Sequence, residues 1–455
     1  MLMKYNYVII IIIFLVLNLL SLGFYSNVWW DSAVYAGMGK YIYSLGDSGI
    51  WESSRPIVLP IMLGFLWKIG LNPIFFGRIL EITAGSLVIF FTYLIGKRLF
   101  GDRTALLASL FIAISPTFFF FNGVLLTGVV STLFSLIAVY YFLEKKYIVS
   151  GLFFGIAFMT RFLQLFVFIS VILIMAYLNK HKIRNLYKMI IGFVLALLPY
   201  LILNQIVYNN ALFPFLHQIF LSANSGWPNY HGLGFYFIGL FKENFLYLLS
   251  IIGILIIFKK KDPRKMPIVA IFLLFFIFFN LINQKEMRFL ILLFPYMYLL
   301  ISYSVMYLSD KHKKYRTAVL SIVVLSLIFS GFNIFTLYKA ELNKNNPYNE
   351  FQDKFMDANG KIWISNPITS VLSDNKVDKI IYYPVFNEEK KNELMSDIGQ
   401  VDFVFMDSCD LACSPSDSKC EDNKEDLLKF FKQELRITHS SSRNQCQQFV
   451  FTSLP

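Results

Sequence analysis

The sequence predicts a polytopic α-helical membrane protein of about eleven spans, N-terminus inside and C-terminus outside, with outer-face interfacial helices and a small extracytoplasmic α/β domain at its end. Three observations carry this expectation. Of 455 residues 56% are apolar and only 15% are charged, with 49 Phe and a mean hydropathy of +0.58, which no soluble core requires. Apolar runs of bilayer length recur from residue 5 to residue 338, with basic clusters on alternate connections. After residue 340 the composition turns polar, and all four cysteines lie there.

Residues 5 to 25 are long enough to cross a bilayer, which takes about 20 residues. The run lacks a small-residue cleavage site and further spans follow, so it reads as a retained first span. Later runs cover about 76–96, 104–121, 124–143, 147–161, 162–178, 187–208, 236–258, 267–283, 289–308 and 317–338. Arg161 alone divides two of them.

The net charge of +12 is distributed as a topology signal. Lys97-Arg98 with Arg103, Lys145-Lys146, Lys180 to Lys188, Lys259-Lys260-Lys261 to Lys265, and Lys311 to Arg316 all become cytoplasmic if the N-terminus is inside. No basic stripe lies on a soluble domain, which argues against a nucleic-acid partner. Pro56 to Gly70 is also apolar, but counting it as a crossing would move every later basic loop outside. It is therefore expected to lie in or dip into the outer interface. The outer face then carries a first loop of about 26–75, a Phe121-Asn122-Gly123 turn, Arg161, residues 209–235, Asn283 to Arg288, and everything after about 340.

The chain thus divides into a transmembrane module, 1–340, and a soluble domain, 341–455, behind a linker at Glu341 to Pro347. Strands are expected at 361–365, 379–383 and 402–406, and helices around 387–398 and 423–435, forming a partly parallel sheet. Cys409, Cys413, Cys420 and Cys446 fit two disulfides of open pairing in an oxidising compartment. A zinc site is the alternative, though the spacing is not a paired C-x-x-C set.

Few polar residues sit where chemistry could use them. Asp31, in Trp29-Trp30-Asp31-Ser32-Ala33-Val34-Tyr35, follows the first span among interfacial aromatics. It is either an exposed loop acid or a catalytic carboxylate. Lys285-Glu286-Met287-Arg288 lies between two apolar runs on the face where the positive-inside rule does not place cations. Two cations there could hold a phosphate, Arg as a fork and Lys as a point charge; snorkelling is the plainer alternative. Arg161 is a second anion contact or a cation paired for insertion. His217 and His231, the latter after Trp227-Pro228-Asn229-Tyr230, solvate their loop or touch a polar head group. Glycine-rich nucleotide loops, a serine-nucleophile elbow and HExxH do not occur in the sequence.

The pattern resembles the GT-C superfamily of integral-membrane glycosyltransferases, in the branch of protein O-mannosyltransferases and the lipid A aminoarabinose transferase. Trp30-Asp31-Ser32-Ala33-Val34-Tyr35 with Ala36 and Gly39 is similar to the family's first-loop "D-E-x-x-Y…A" segment. Ser54-Arg55-Pro56-Ile57-Val58-Leu59-Pro60 with Gly70 is similar to "R-P-P-L-x-P…G". Phe76-Gly77-Arg78-Ile79 and Gly96-Lys97-Arg98-Leu99-Phe100-Gly101 resemble "A-A-R-L…G-R-R-L-F-G", and Gln284 to Phe289 with Phe294-Pro295 resembles "H-K-E-x-R-F…P". The resemblance covers residues 5 to 310. Ser32 stands where the family has a second acid, and Asn283-Gln284 where a His often precedes Lys-Glu.

What the resemblance implies is sugar transfer from a polyprenyl phosphate such as dolichyl phosphate to a hydroxyl at the outer face, with inversion. Asp31 would be the general base. Lys285, Arg288 and Arg161 would hold the donor phosphate, and Tyr35, Arg55, Glu286 and His231 would support substrate. The implied chemistry requires neither nucleotide nor metal, and it is compatible with a divalent ion. The expected partners are the lipid-linked sugar, mannose or another hexose, a protein, glycan or lipid acceptor, and the bilayer. A flippase for a lipid-linked sugar and a receptor acting through the C-terminal domain are the rival classes; the flippase would call for broken mid-membrane helices and an internal repeat.

Overall fold

The computed structural model describes residues 6–25, 27–178, 183–224, 231–282, 284–311, 314, 316–342, 354–356, 358–382, 385, 388–411, 413, 418–443 and 446–454. Lys180, Trp227 to Tyr230, Asn283, Lys313, the linker beyond Leu342, Tyr383 and Asn387 lie outside the described residues. Contacts group the chain into two compact units, and neither is continuous in sequence. One comprises Met1–Ser26, Arg78–Ala211 and His231–Lys344; the other comprises Asn27–Gly77, Leu212–Tyr230 and Asn345–Pro455. Contacts thus draw the division differently from the composition change near residue 340.

The first unit is helical. Each apolar run coincides with a helix or a pair of short ones, but four helices among the described residues are long and apolar enough to cross a membrane: Asn6–Phe24, Pro73–Phe100, Arg184–Tyr208 and Arg316–Leu342. Thr127–Leu143, Tyr147–Thr160, Phe162–Tyr177 and Met266–Leu281 are shorter apolar helices. Three runs are interrupted. The run at 104–121 divides into Asp102–Ala113 and Pro116–Phe121, because Pro116 has no N–H to give and Ser115 caps the new helix by accepting from the Phe118 N–H. The run at 236–258 breaks at Asn244, whose backbone is extended and whose Oδ1 accepts from the Leu246 N–H at 2.9 Å. The run at 289–308 begins as a 3-10 turn, Met287–Leu292, before the helix Phe294–Lys311. The division at Arg161 is real: its extended backbone ends the helix Tyr147–Thr160.

Small residues close the seams between these helices. A Cβ on Gly151 would lie 2.0 Å from the Met189 carbonyl oxygen, and one on Gly192 would lie 2.1 Å from that of Ile148. The helices Tyr147–Thr160 and Ile183–Tyr208 therefore approach backbone to backbone, the contact that replaces the hydrophobic effect inside lipid.

In the second unit the first loop folds into the helices Trp30–Tyr43 and Val58–Lys68, which pack on each other. The C-terminal segment forms a five-stranded sheet: β1 (Ile362–Ile364), β2 (Lys379–Ile380), β3 (Phe403–Asp407), β4 (Arg436–Arg443) and β5 (Cys446–Thr452), in the order β2-β1-β3-β5-β4. β1 is parallel to β2 and β3, whereas β5 is antiparallel to β3 and β4. Helices Glu388–Ser396 and Ser418–Glu434 cover it. The β4–β5 hairpin has no counterpart in the sequence reading, because Arg-Ile-Thr-His-Ser-Ser-Ser-Arg is a polar edge strand with little apolar alternation. Disulfides join Cys409 to Cys446 and Cys413 to Cys420. Cys409 and Cys446, with Asp407, make the one group of three metal-type ligands close together among the described residues, and both thiols are committed to a disulfide.

Alternation along the strands sends Trp363, Val404, Met406, Phe449 and Phe451 to one face and Ile362, Ile364, Phe405 and Val450 to the other. The first loop reaches both cores. Trp30 packs on the first and Ile50 is buried in the second. The backbone joins in, since Gly49 bridges to Lys376, with Val377 N–H donating to Gly49 O at 2.8 Å. Lys40 is buried in the same joint, donating to the Val371 and Ser373 carbonyls at 3.2 and 2.8 Å and pairing with Asp374 at 3.0 Å.

Gly192→Leu should therefore lower the melting midpoint of the detergent-solubilised chain, an overpacking effect of about 1–3 kcal/mol. Gly331→Leu is the control, since a Cβ there meets nothing within 4 Å; equal midpoints would remove the close-packing account. Lys40→Met should leave two carbonyls without their donor, at a cost of about 1–3 kcal/mol. The expected result is faster proteolysis within 345–455, and an unchanged cleavage rate would show the joint to be indifferent to Lys40.

Candidate active site

Asp31 lies in the first turn of the helix Trp30–Tyr43, where an extended Trp29 accepts the Ala33 N–H at 2.9 Å and the helix presents its positive end to a carboxylate. Arg55 arrives from a turn closed by Arg55 N–H to Glu52 O, with Pro56 preventing a helix through it. Its guanidinium bridges two acids: Nη1 is 2.9 Å from Asp31 Oδ1, and Nε is 2.5 Å from Glu52 Oε2. The Tyr35 ring lies beneath it, 5.8 Å from the guanidinium carbon. Asp31 is the most exposed of the charged three, at 20% of its side chain against 14% for Arg55 and 8% for Glu52. A carboxylate held by a cation on one oxygen and open to solvent over part of its surface is fixed in direction, as a general base must be.

The same unit adds groups that the sequence reading did not bring here. Trp30 packs against Tyr382 at 4.9 Å, and burial pushes the Tyr382 phenol up to about 12, with Arg55 and Asp31 within electrostatic reach. Ser53 Oγ is 3.0 Å from His217 Nδ1, and Lys390 Nζ is 3.5 Å from His217 Nε2. An ammonium can only donate, which assigns Nε2 as acceptor and leaves the proton on Nδ1. Burial, and then the Lys390 charge, hold the His217 imidazole below its usual range. Burial likewise lowers the Lys390 ammonium, opposed by Glu393 and Glu52. Glu52 had a local signal, three residues before Arg55. Lys390 had none, since it sits in a charged helix that reads as solvated.

The second cluster belongs to the other unit. The helix Met266–Leu281 ends at an extended Ile282, and the chain re-enters as the turn Met287–Leu292. Lys285, 2% exposed, turns its ammonium inward, donating to the Ile282 carbonyl and to that of His231, the latter at 2.8 Å. Burial lowers its pKa. Arg288 forms a two-pronged pair with Glu286, at 2.6 and 3.0 Å. Tyr236 Oη fixes Glu286 through its backbone, accepting from N–H at 3.3 Å and donating to O at 3.2 Å. Arg161 donates to Thr127 Oγ1 at 3.2 Å. The guanidinium carbons of Arg161 and Arg288 lie 5.3 and 6.0 Å from the centre of the Phe289 ring, which anchors both through cation–π attraction. His231 contributes its carbonyl, while its ring stacks on Phe235 at 4.2 Å. Among the described residues the cluster brings together three cations, Lys285, Arg288 and Arg161, and one carboxylate, Glu286.

Of the residues singled out in the sequence, Asp31, Tyr35 and Arg55 thus meet in one unit. Lys285, Glu286, Arg288, Arg161 and His231 meet in the other.

The fold has solved relatives. ArnT from Cupriavidus metallidurans bound to undecaprenyl phosphate shares 11% identity at a TM-score of 0.68, covering 99% of this chain and 98% of that one. The apo form of that protein aligns at 0.70 with 12% identity, over 98% and 97% of the chains. Archaeal oligosaccharyltransferase AglB from Archaeoglobus fulgidus, in complex with an inhibitory peptide and a dolichol-phosphate, aligns at 0.58 with 12% identity, over 98% and 74%. None of the curated proteins matches the sequence. A model of the Alg9-like mannosyltransferase family matches residues 5–368, about four-fifths of the chain. With helices of membrane length and the ArnT-like fold, this multi-pass membrane chain is a glycosyltransferase of the GT-C class and belongs to the Alg9-like mannosyltransferase family.

Proposed function

We propose that the protein moves a hexose, mannose in the first instance, from a polyprenyl phosphate such as dolichyl phosphate to a hydroxyl acceptor on the extracytoplasmic side, with inversion. The observation that carries this reading is the cluster in which Arg161 and Arg288 share the Phe289 ring. Such paired forks suit a lipid phosphate. The undecaprenyl phosphate bound to the ArnT structure and the dolichol-phosphate in the AglB complex support that ligand class. The alternating basic loops support the sidedness.

In this mechanism the acceptor oxygen attacks the anomeric carbon while Asp31 takes its proton. The bond from that carbon to the phosphate oxygen breaks, and its electron pair leaves on the lipid phosphate. Arg161 and Arg288 stabilise the charge that accumulates there. Lys285 contributes field and holds its loop through the Ile282 and His231 carbonyls. Arg55 orients Asp31 and, with Glu52, keeps the carboxylate from swinging. The C-terminal segment shares a compact unit with the loop carrying Asp31, and this supports a part for it in acceptor choice.

Asp31→Asn should lower kcat at least about 100-fold, the usual scale for a general base, with dolichyl phosphate affinity preserved. Transfer of radiolabelled mannose from dolichyl phosphate in purified membranes measures it, and normal turnover would remove Asp31 from the chemistry. Arg288→Ala should weaken dolichyl phosphate binding about tenfold, one charge-assisted hydrogen bond of about 1.4 kcal/mol. Unchanged affinity at low and high salt would exclude the cluster as the phosphate site.

A further inference from the structure

Within the membrane-embedded unit Glu81 is fully buried, on a helix that carries no other carboxylate facing its neighbours at that level. Its two oxygens accept the N–H groups of Leu125 and Leu126, at 2.5 and 2.9 Å. Those residues form the turn that starts the helix Thr127–Leu143. Leu125 holds φ at +71°, a left-handed conformation that costs a leucine and persists only where the surroundings enforce it. One helical turn beyond Glu81, Gly85 lets the same turn come close: a Cβ there would stand 1.9 Å from Asn122 Oδ1. Immediately after the strained turn, Thr127 accepts from Arg161 Nη1 at 3.2 Å.

We infer that Glu81 is a positioning residue for Arg161: it holds the left-handed turn at Leu125, the turn sets Thr127, and Thr127 sets the guanidinium. The plainer role, satisfying two buried N–H groups, would stop at Leu126. What extends it is the unbroken series of contacts, Glu81 to Leu125 and Leu126, through the chain to Thr127, and from there to Arg161 over Phe289. A glutamine in place of Glu81 would keep one acceptor and set a donor against the other N–H. The turn would then relax toward negative φ and carry Thr127 with it. The value of this for catalysis rests on the donor-phosphate reading of Arg161; the positioning itself does not.

The test uses the full chain in detergent and two readouts: the rate at which phenylglyoxal modifies Arg161, followed by mass spectrometry, and the affinity for dolichyl phosphate. Glu81→Gln should speed modification of Arg161 several-fold while Arg98, at the far end of the same helix, reacts as before. Thr127→Val should match that increase, and the double variant should add nothing to it. Leu125→Gly in the Glu81→Gln background should return the rate toward that of the unaltered protein, since glycine adopts positive φ without penalty. Glu81→Asp, which keeps both oxygens but draws them back, reads the same quantities should the glutamine variant not accumulate folded. An unchanged Arg161 rate, a rise shared by Arg98, or additive effects of Glu81→Gln and Thr127→Val would overturn the inference. Affinity separates the two ideas. If Arg161→Ala binds dolichyl phosphate as well as the unaltered protein, the donor reading falls while the modification rates still decide the role of Glu81.

Discussion

A peptide group inside hydrocarbon must find its hydrogen bond within the chain, and the helical unit is shaped around that constraint. At several of the interruptions a buried polar side chain takes up the orphaned backbone. Ser115 and Asn244 cap the segments that follow them, and Glu81 covers the two N–H groups at Leu125 and Leu126. Glu243 accepts from the Thr117 N–H at 3.1 Å and also from the Ser115, Thr117 and Tyr247 hydroxyls. Carboxylates this deep would be costly if they lacked partners. Here Glu81 satisfies the turn before Thr127, and Glu243 the break at Ser115-Pro116.

The two charge clusters are built on opposite principles. Around Asp31 one guanidinium bridges two acids, so direction is imposed on a carboxylate that keeps part of its surface. Around Phe289 one aromatic ring gathers two guanidinium groups, of which Arg288 also pairs with Glu286 and Arg161 donates to Thr127. Lys285 differs from both arginines: its ammonium is turned to backbone carbonyls and buried, so it acts on the loop and on the local field. Arginine keeps a planar fork and its charge under such conditions, which lysine does less well.

The C-terminal sheet is not an appendage. Trp30 and Ile50, twenty residues apart in the first loop, enter the cores on its two faces, and Lys40 fastens the same loop to Val371, Ser373 and Asp374. The loop that holds Asp31 and the sheet stabilise one unit, so the geometry at Asp31 depends on residues more than three hundred positions away.

The membrane class, the positions of the apolar helices and the strands β1 to β3 were legible in the amino-acid sequence, in which Asp31, Arg55, Arg161 and Arg288 stand out as candidates. Each rests on a local property: apolar run length, alternation, or a charge where lipid makes charge expensive. Tertiary structure alone decided the rest. Ser115-Pro116 and Asn244 look like blemishes in continuous spans until the capping bonds are seen. Strand β4 is polar because it lies at an edge, beyond the buried β5. Glu52, His217, Lys390 and Glu81 gain meaning only from neighbours distant in the chain, because pairing and burial are properties of the folded surroundings, and nothing within a few residues of any of them records which groups will close around it.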